Sequence, residues 1–229
     1  MSQWVPLEAN PELFAAWCST LGLDGARHSF YDVFGFDDEL LAMIPQPVNA
    51  LLFLFPLTDA VEERHRADDA SRTPPEGLLW FKQTIGNACG TIGLLHAIAN
   101  SAAKDAVIPG SALDDILTKA RATTAEERVA VLANSEALRM AHAAVADDGQ
   151  TAAPDAHDPV NLHFVAFVRA NGKLVELDGR RTGPIEHDVA VPTQDDLLKA
   201  AVQFVQQYYV AANPDELGFN MIALSGAPP

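Results

Sequence analysis

Asn161-Leu162-His163-Phe164-Val165-Ala166-Phe167-Val168-Arg169-Ala170-Asn171-Gly172-Lys173-Leu174-Val175-Glu176-Leu177-Asp178 is the stretch that decides the fold. Two apolar runs flank Asn171-Gly172, the strongest short signal for a two-residue hairpin, because both central residues of such a turn need positive φ. The pair is therefore antiparallel. If Ala170 faces Lys173, paired residue numbers sum to 343 and Asp178 faces Val165. His163 lies two residues from Val165, on the same face and diagonal to Asp178. Diagonal neighbours are roughly 7–8 Å apart at the backbone, within reach of long side chains. The flanking residues are apolar on both faces, so a charged Asp178 is costly there unless it is paired. A His163–Asp178 pair follows. Taken alone, it serves structure as readily as chemistry.

Outward from the hairpin, helices and strands interleave. Ala50–Phe55 is apolar without alternation, as in a strand buried on both faces. Trp4–Glu8 reads as a short edge strand, because Pro6 cannot donate to a central ladder. Asn10-Pro11 opens a helix with a cap and a first-position proline; Leu13, Phe14, Trp17, Cys18 and Leu21 form its apolar stripe and Gly22 ends it. Val61–Gly77 reads as a solvated helix and a loop. Cys89–Asn100 reads as a buried helix, with His96 in the core. Ser111–Lys119 and Thr124–Val145 are two more helices, the second opened by a Thr124/Glu127 capping box. Leu197–Tyr209 is an amphipathic helix and Gly218–Leu224 a last apolar strand. No repeat and no linker divides the 229 residues, so residues 1–229 are expected to form one domain of α/β (α+β) type. The stretch 147–160 is poor in anchoring side chains and reads as a loop over some functional surface.

Charge and cysteine content narrow the function. Lys and Arg number 15 against 31 Asp and Glu, a net charge of −16. Nucleic acid and anionic membrane surfaces would repel such a chain, and no apolar run approaches the length of a membrane span. Residues 1–70 hold twelve acids and three bases, which serves solubility or steers a cationic partner. Two cysteines, Cys18 and Cys89, and no export-type N-terminus point to a reducing compartment. The expectation is a cytoplasmic protein, or one that is also nuclear, and a monomer.

Cys89 follows Gln83-Thr84-Ile85-Gly86-Asn87-Ala88, a loop rich in turn formers, and begins an apolar helix. Unpaired N–H groups and the dipole at a helix start favour the thiolate and can hold an oxyanion. Gly90 would let a substrate approach the backbone. Cys18, mid-helix on an apolar stripe, has none of this and reads as inert core. A thiolate nucleophile needs a base and the base needs an orienting group; His163 and Asp178 supply both. His28, His65, His142 and His157 fall in polar, helical-surface or loop contexts. No HExxH, CxxC, phosphate-loop or dinucleotide-binding pattern occurs, so neither a metal nor another cofactor is expected.

These residues resemble a known family. Gln83-Thr84-Ile85-Gly86-Asn87-Ala88-Cys89-Gly90-Thr91-Ile92-Gly93-Leu94-Leu95-His96-Ala97 is similar to the active-site segment of the ubiquitin C-terminal hydrolases. Trp4–Glu12, Leu54–Thr58, Leu162–Phe164, Glu176–Arg180, Pro214–Leu217 and Ala223–Ser225 resemble the family in the same order, over essentially the whole chain. Ala67–Thr73 departs from it. The similarity is to short members without a C-terminal extension. It implies a papain-like thiol peptidase with a central antiparallel sheet flanked by helices and a knotted backbone. By that resemblance Cys89 is the nucleophile, His163 the general base and acid, Asp178 the orienting carboxylate and Gln83 an oxyanion donor. Glu8, Glu12, Asp32 and Glu216 match contacts to the basic tail of ubiquitin or a ubiquitin-like modifier. Leu217 would line the channel, and 147–160 would be a crossover loop limiting leaving groups to small adducts and short extensions. Two other functions are weighed beside it: a ubiquitin-binding or sequestering module with little turnover, and a metal-dependent hydrolase using His163, Asp178 and His187.

Overall fold

Apolar runs of strand and helix length interleave along the chain, and the residues of the central strands divide between two helix-packed layers. The computed structural model describes residues 3–71, 73–146, 148–150 and 160–226. In chain order its elements are α1 (Pro11–Leu21), β1 (His28–Asp32), α2 (Asp38–Leu41), β2 (Val48–Pro56), α3 (Asp59–Ser71), α4 (Cys89–Ala99), α5 (Ala112–Arg121), α6 (Ala125–Ala133), α7 (Glu136–Ala146), β3 (Leu162–Ala170), β4 (Lys173–Leu177), β5 (Ile185–Ala190), α8 (Leu197–Val205) and β6 (Asn220–Gly226). A π-helical turn, Gln206–Val210, prolongs α8.

The six strands form one antiparallel sheet in the order β1-β6-β2-β3-β4-β5. The Asn171-Gly172 turn has φ of 53° and 76°, and Ala170 pairs with Lys173 and Ala166 with Leu177, the register read from sequence. Strand alternation sends two sets of side chains to two apolar layers. Ala50, Leu52, Phe164, Ala166 and Val168 meet α1, α4, α5 and α7. Leu51, Phe53, Phe55, Val165 and Phe167 meet α8, the Gln206–Val210 turn and Val61 of α3. β2 and β3 are central and buried on both faces, as their unbroken apolar runs require.

α1 buries the expected stripe, with Asn10 capping the Glu12 amide at 2.9 Å. Three expectations are corrected. Trp4–Glu8 is not a strand; an isolated bridge joins Gln3 to Gly86, with the Trp4 amide donating to the Gly86 carbonyl, and the side chains of Asn87 and His142 hold the Trp4 and Val5 carbonyls. Thr124–Val145 is two helices, because Asn134 caps α6 and Ser135 caps the next amide run through Leu138. α3 is not solvated all round, since Val61 and His65 are buried. β1 and β5, short and half-polar, were not read from sequence. The loop reading of 147–160 falls mostly outside the described residues, as does His157.

No helix among the described residues is long and apolar enough to cross a membrane.

Candidate active site

The segment Leu79–Ala88 leads into α4 and is tied down along its length. Asn100 at the far end of α4 brackets Leu79 through its N–H (2.7 Å) and carbonyl (2.9 Å). His96 accepts the Phe81 amide at Nε2 at 2.9 Å; it is a core histidine, as expected, but its buried Nδ1 has no hydrogen-bond partner among the described residues, so it is satisfied on one side only. Trp80 Nε1 donates to the Asp178 carbonyl at 2.9 Å, and the Gln83 amide to the Gly179 carbonyl at 2.8 Å. These bonds fix the start of α4 against the turn after β4. Cys89 begins that helix and is buried. Its N-terminal amides have no partner within the helix, as at every helix start.

His163 is the second residue of β3, paired across the sheet with Phe55, whose ring it meets edge-on at 5.7 Å. Its Nε2 lies 2.7 Å from Asp178 Oδ1, which also accepts the Arg180 amide at 2.8 Å. Nδ1 is the nitrogen left for the Cys89 sulfur. Burial pushes the Cys89 thiol up, but the hydrogen bond and charge of His163 and the amides of Phe164 and Gly90 outweigh it, so the thiol is more acidic than an ordinary cysteine. For His163, burial favours the neutral ring, while Asp178 and then Cys89 favour the imidazolium and win. Burial likewise raises the Asp178 carboxyl, and His163 and the Arg180 amide bring it below its usual range. The three side chains meet at one end of the sheet, and each is shifted toward its charged form: Cys89 and Asp178 down, His163 up. Cys18 is the contrast: burial raises its thiol with nothing to offset it.

Gln83 packs on Gly179, where an added Cβ would lie 3.0 Å from Gln83 Cβ. Its Nε2 donates to the Ile85 carbonyl at 3.2 Å, which occupies one of the two amide donors and leaves the other. Gly90 corrects an expectation. The space its missing Cβ leaves is taken by Leu7, 3.2 Å away, not by substrate. The N-terminal segment crosses there because His142 holds it. Nε2 of His142 donates to the Val5 carbonyl (2.7 Å), so Nδ1 must accept from the Thr91 hydroxyl (2.8 Å), and Trp4 covers the ring.

A cleft of about 280 Å³ opens at Cys89, lined by Leu7, Glu8, Leu54, Leu162 and Phe164 among others. Glu8 and Ala9 also belong to a second cavity, which gathers Glu12, Asp32, Phe34, Met43 and Gln150. Three of the expected acids thus meet on one surface that runs into the Cys89 cleft. Glu216 and Leu217 line neither; Leu217 is 93% exposed, while its neighbour Gly218 sits against Leu162 and Pro56 at the rim. His187, the third member of the metal reading, hydrogen-bonds Glu176 Oε2 at 2.9 Å instead, and no cluster of three or more His, Cys, Asp or Glu among the described residues is arranged to hold a metal.

Sequence reasoning missed the network behind the site. Arg181 is buried and reaches Glu176 (3.2 Å), Asp69 (2.7 Å) and the His65 carbonyl (3.3 Å). It clamps α3 onto the turn that carries Asp178. His28, His65 and His142 are buried, not surface residues. The signal for two of them was present: His65 falls four residues after Val61, and His142 shares a helical stripe with Leu138, Ala141 and Val145.

An acidified thiol at a helix start, an imidazole on a central strand and a carboxylate just beyond the next define a cysteine-type hydrolase. Residues 4–210 match the family described as ubiquitin carboxyl-terminal hydrolase, family 1, and the chain belongs to that family. It is 39% identical to ubiquitin carboxyl-terminal hydrolase 3 of Arabidopsis thaliana over 97% of this chain and 94% of that protein. It is 38% identical to ubiquitin carboxyl-terminal hydrolase isozyme L1 of Homo sapiens, over 98% and 99%. The fold is similar to the UCH37 catalytic domain of Trichinella spiralis, solved bound to ubiquitin vinyl methyl ester, with a TM-score of 0.74 at 20% identity over 98% and 96% of the two chains.

Proposed function

We propose that this chain hydrolyses small adducts and short extensions from the C-terminal glycine of ubiquitin or a close relative, with Cys89, His163 and Asp178 as its catalytic residues. Family membership gives ubiquitin C-terminal hydrolysis by a thiol. The observation that carries the residue assignment is the 2.7 Å His163–Asp178 bond beside a thiol made acidic by that histidine.

In this reading the Cys89 thiolate attacks the terminal glycine carbonyl. The Cys89 amide and the remaining Gln83 amide donor stabilise the oxyanion. The His163 imidazolium gives its proton to the leaving amine, forming a thioester, and neutral His163 then takes a proton from the water that hydrolyses it. Asp178 holds the ring throughout. Glu8, Glu12 and Asp32 attract the basic tail, with Glu216 and Leu217 at the far rim. A cleft of about 280 Å³ suits an extended tail and a small leaving group rather than a folded domain. The chain would act as a single domain and a monomer, in the cytoplasm or also the nucleus.

The test is turnover of a ubiquitin C-terminal fluorogenic amide. Cys89→Ala and His163→Ala should abolish it while ubiquitin still binds, and Asp178→Asn should lose about 10²-fold in kcat. Activity retained in Cys89→Ala would refute the assignment.

A further inference from the structure

The carboxylate of Asp178 is used on one side only. Oδ1 accepts both the His163 ring and the Arg180 amide. Oδ2 is buried and has no hydrogen-bond partner among the described residues. Leaving such an oxygen unmet is costly. His65 Nδ1 lies 3.9 Å from it. The ring of His65 is itself buried, its Nε2 is 3.2 Å from the Tyr209 hydroxyl, and its edge meets Phe55, the same ring that faces His163. A polar recess of about 330 Å³, lined by His65, Asp178, Glu62 and Arg181 among others, lies on this side of the carboxylate.

The tautomer follows from the partners. With the proton on Nε2, the Nδ1 lone pair would face the lone pairs of Oδ2. With the proton on Nδ1, that N–H points at the carboxylate and the Tyr209 hydroxyl donates to Nε2. A separation of 3.9 Å is long for a hydrogen bond and is an ion–dipole contact as it stands; catalytic contacts of this kind tighten when substrate binds.

We propose that His65 is a positioning residue, whose Nδ1–H holds Asp178 through Oδ2 so that Oδ1 stays on His163. The proposal rests on the assignment of Cys89, His163 and Asp178 to catalysis. The charged and titratable groups around His65 are Glu176 of β4, Asp178, Arg180 and Arg181 of the following turn, His163 of β3, Tyr209, and, from α3 itself, Glu62, Arg66 and Asp69. Burial lowers the His65 pKa most, Glu176 and Asp178 raise it, and Arg181 and His163 lower it. A net lowering favours the neutral ring, which leaves Nε2 free to accept from the Tyr209 hydroxyl while Nδ1 keeps its proton.

Two substitutions separate positioning from packing. His65→Leu fills the space without a donor. His65→Asn places an amide nitrogen where Nδ1 sits. Without the donor the Asp178 charge is less shared, so it favours the His163 imidazolium more strongly and the carboxylate is freer to turn. His65→Leu should lower kcat about tenfold with KM within about twofold. The alkaline limb of iodoacetamide alkylation of Cys89 should move to higher pH by about half a unit or more. His65→Asn should restore both. Unchanged kcat and an unmoved alkylation profile in a well-folded His65→Leu would overturn the proposal, as would His65→Asn failing as badly as His65→Leu. If His65→Leu does not fold, Tyr209→Phe removes only the hydroxyl that orients His65 and should shift the profile the same way; no shift overturns the proposal. Loss of activity in Cys89→Ala together with an unmoved His65→Leu profile sinks this inference alone, whereas activity in Cys89→Ala sinks the assignment beneath it.

Discussion

Gly179→Ala tests how tightly the turn after β4 sets the site. A Cβ at this position would lie 2.8 Å from Ile92 Cγ2, 3.0 Å from Gln83 Cβ and 3.1 Å from the Gln83 amide nitrogen. Carbon atoms rest at about 3.5–4.0 Å, so the Ile92 contact must open by about 0.7–1.2 Å. Ile92 is on the first turn of α4, three residues after Cys89, and Gln83 is bonded to Gly179 itself. Neither can yield without moving Cys89, the proposed nucleophile, or Gln83, the proposed oxyanion donor, relative to Asp178. A misplacement of about 1 Å costs up to about 10²-fold in rate, and overpacking of this kind costs about 1–3 kcal/mol of stability. For a chain of this size each kcal/mol is worth about 2–4 °C in Tm. Steady-state kinetics on the fluorogenic ubiquitin amide should show kcat down by about 10–100-fold with KM changed little, and calorimetry should show the lowered Tm. A variant with wild-type kcat and Tm would refute the reasoning, since it would mean the turn and α4 are not mechanically joined.

Three other perturbations are read from the same geometry. His96 and His142 are held neutral by burial, each pushed down to about 4. The unfolded chain therefore takes up more protons than the folded one between the ordinary histidine value and about pH 4, and stability present above about pH 6.5 is lost as pH falls through that window, by on the order of 3 kcal/mol per group. Denaturant unfolding should show this slope, and His142→Gln should flatten it. Glu176→Gln leaves Arg181 and His187 short of their buried carboxylate and should cost about 3–5 kcal/mol, seen as a lowered urea midpoint. Glu12→Gln with Asp32→Asn should raise KM with kcat unchanged, by a factor that shrinks as salt is added, because the charges act through solvent.

The parts of the structure legible in the sequence are those decided locally. Asn171-Gly172 sets the β3–β4 register because only one turn type suits it, and the register then brings His163 to Asp178. Asn10, Pro11 and Gly22 bound α1 because caps act within a few residues. What escaped reading depends on partners far away in the chain. Trp4–Glu8 has strand-like composition, yet its bonds go to Gly86, Asn87 and His142 rather than to a neighbouring strand. The α6–α7 break arises because the Ser135 hydroxyl takes the Leu138 amide and starts a new helix directly after Asn134, the C-cap of α6, within one apolar stripe. His65 and Arg181 carry polar side chains that pass for surface residues until β4 and the Tyr209 turn close over them. Gln83 was named only through the family resemblance, since nothing in its neighbours distinguishes it from an ordinary loop amide.

The central claim is that one thiol, Cys89, attacks at the end of the ubiquitin tail because His163 and Asp178 make it a thiolate. Reaction with ubiquitin vinyl methyl ester, followed by intact mass and peptide mapping, tests this most directly. The account predicts a single ubiquitin added on Cys89, none on Cys18, and a sharp loss of labelling rate in His163→Ala. An adduct mapped to Cys18, or labelling of Cys89 at full rate without His163, would contradict it.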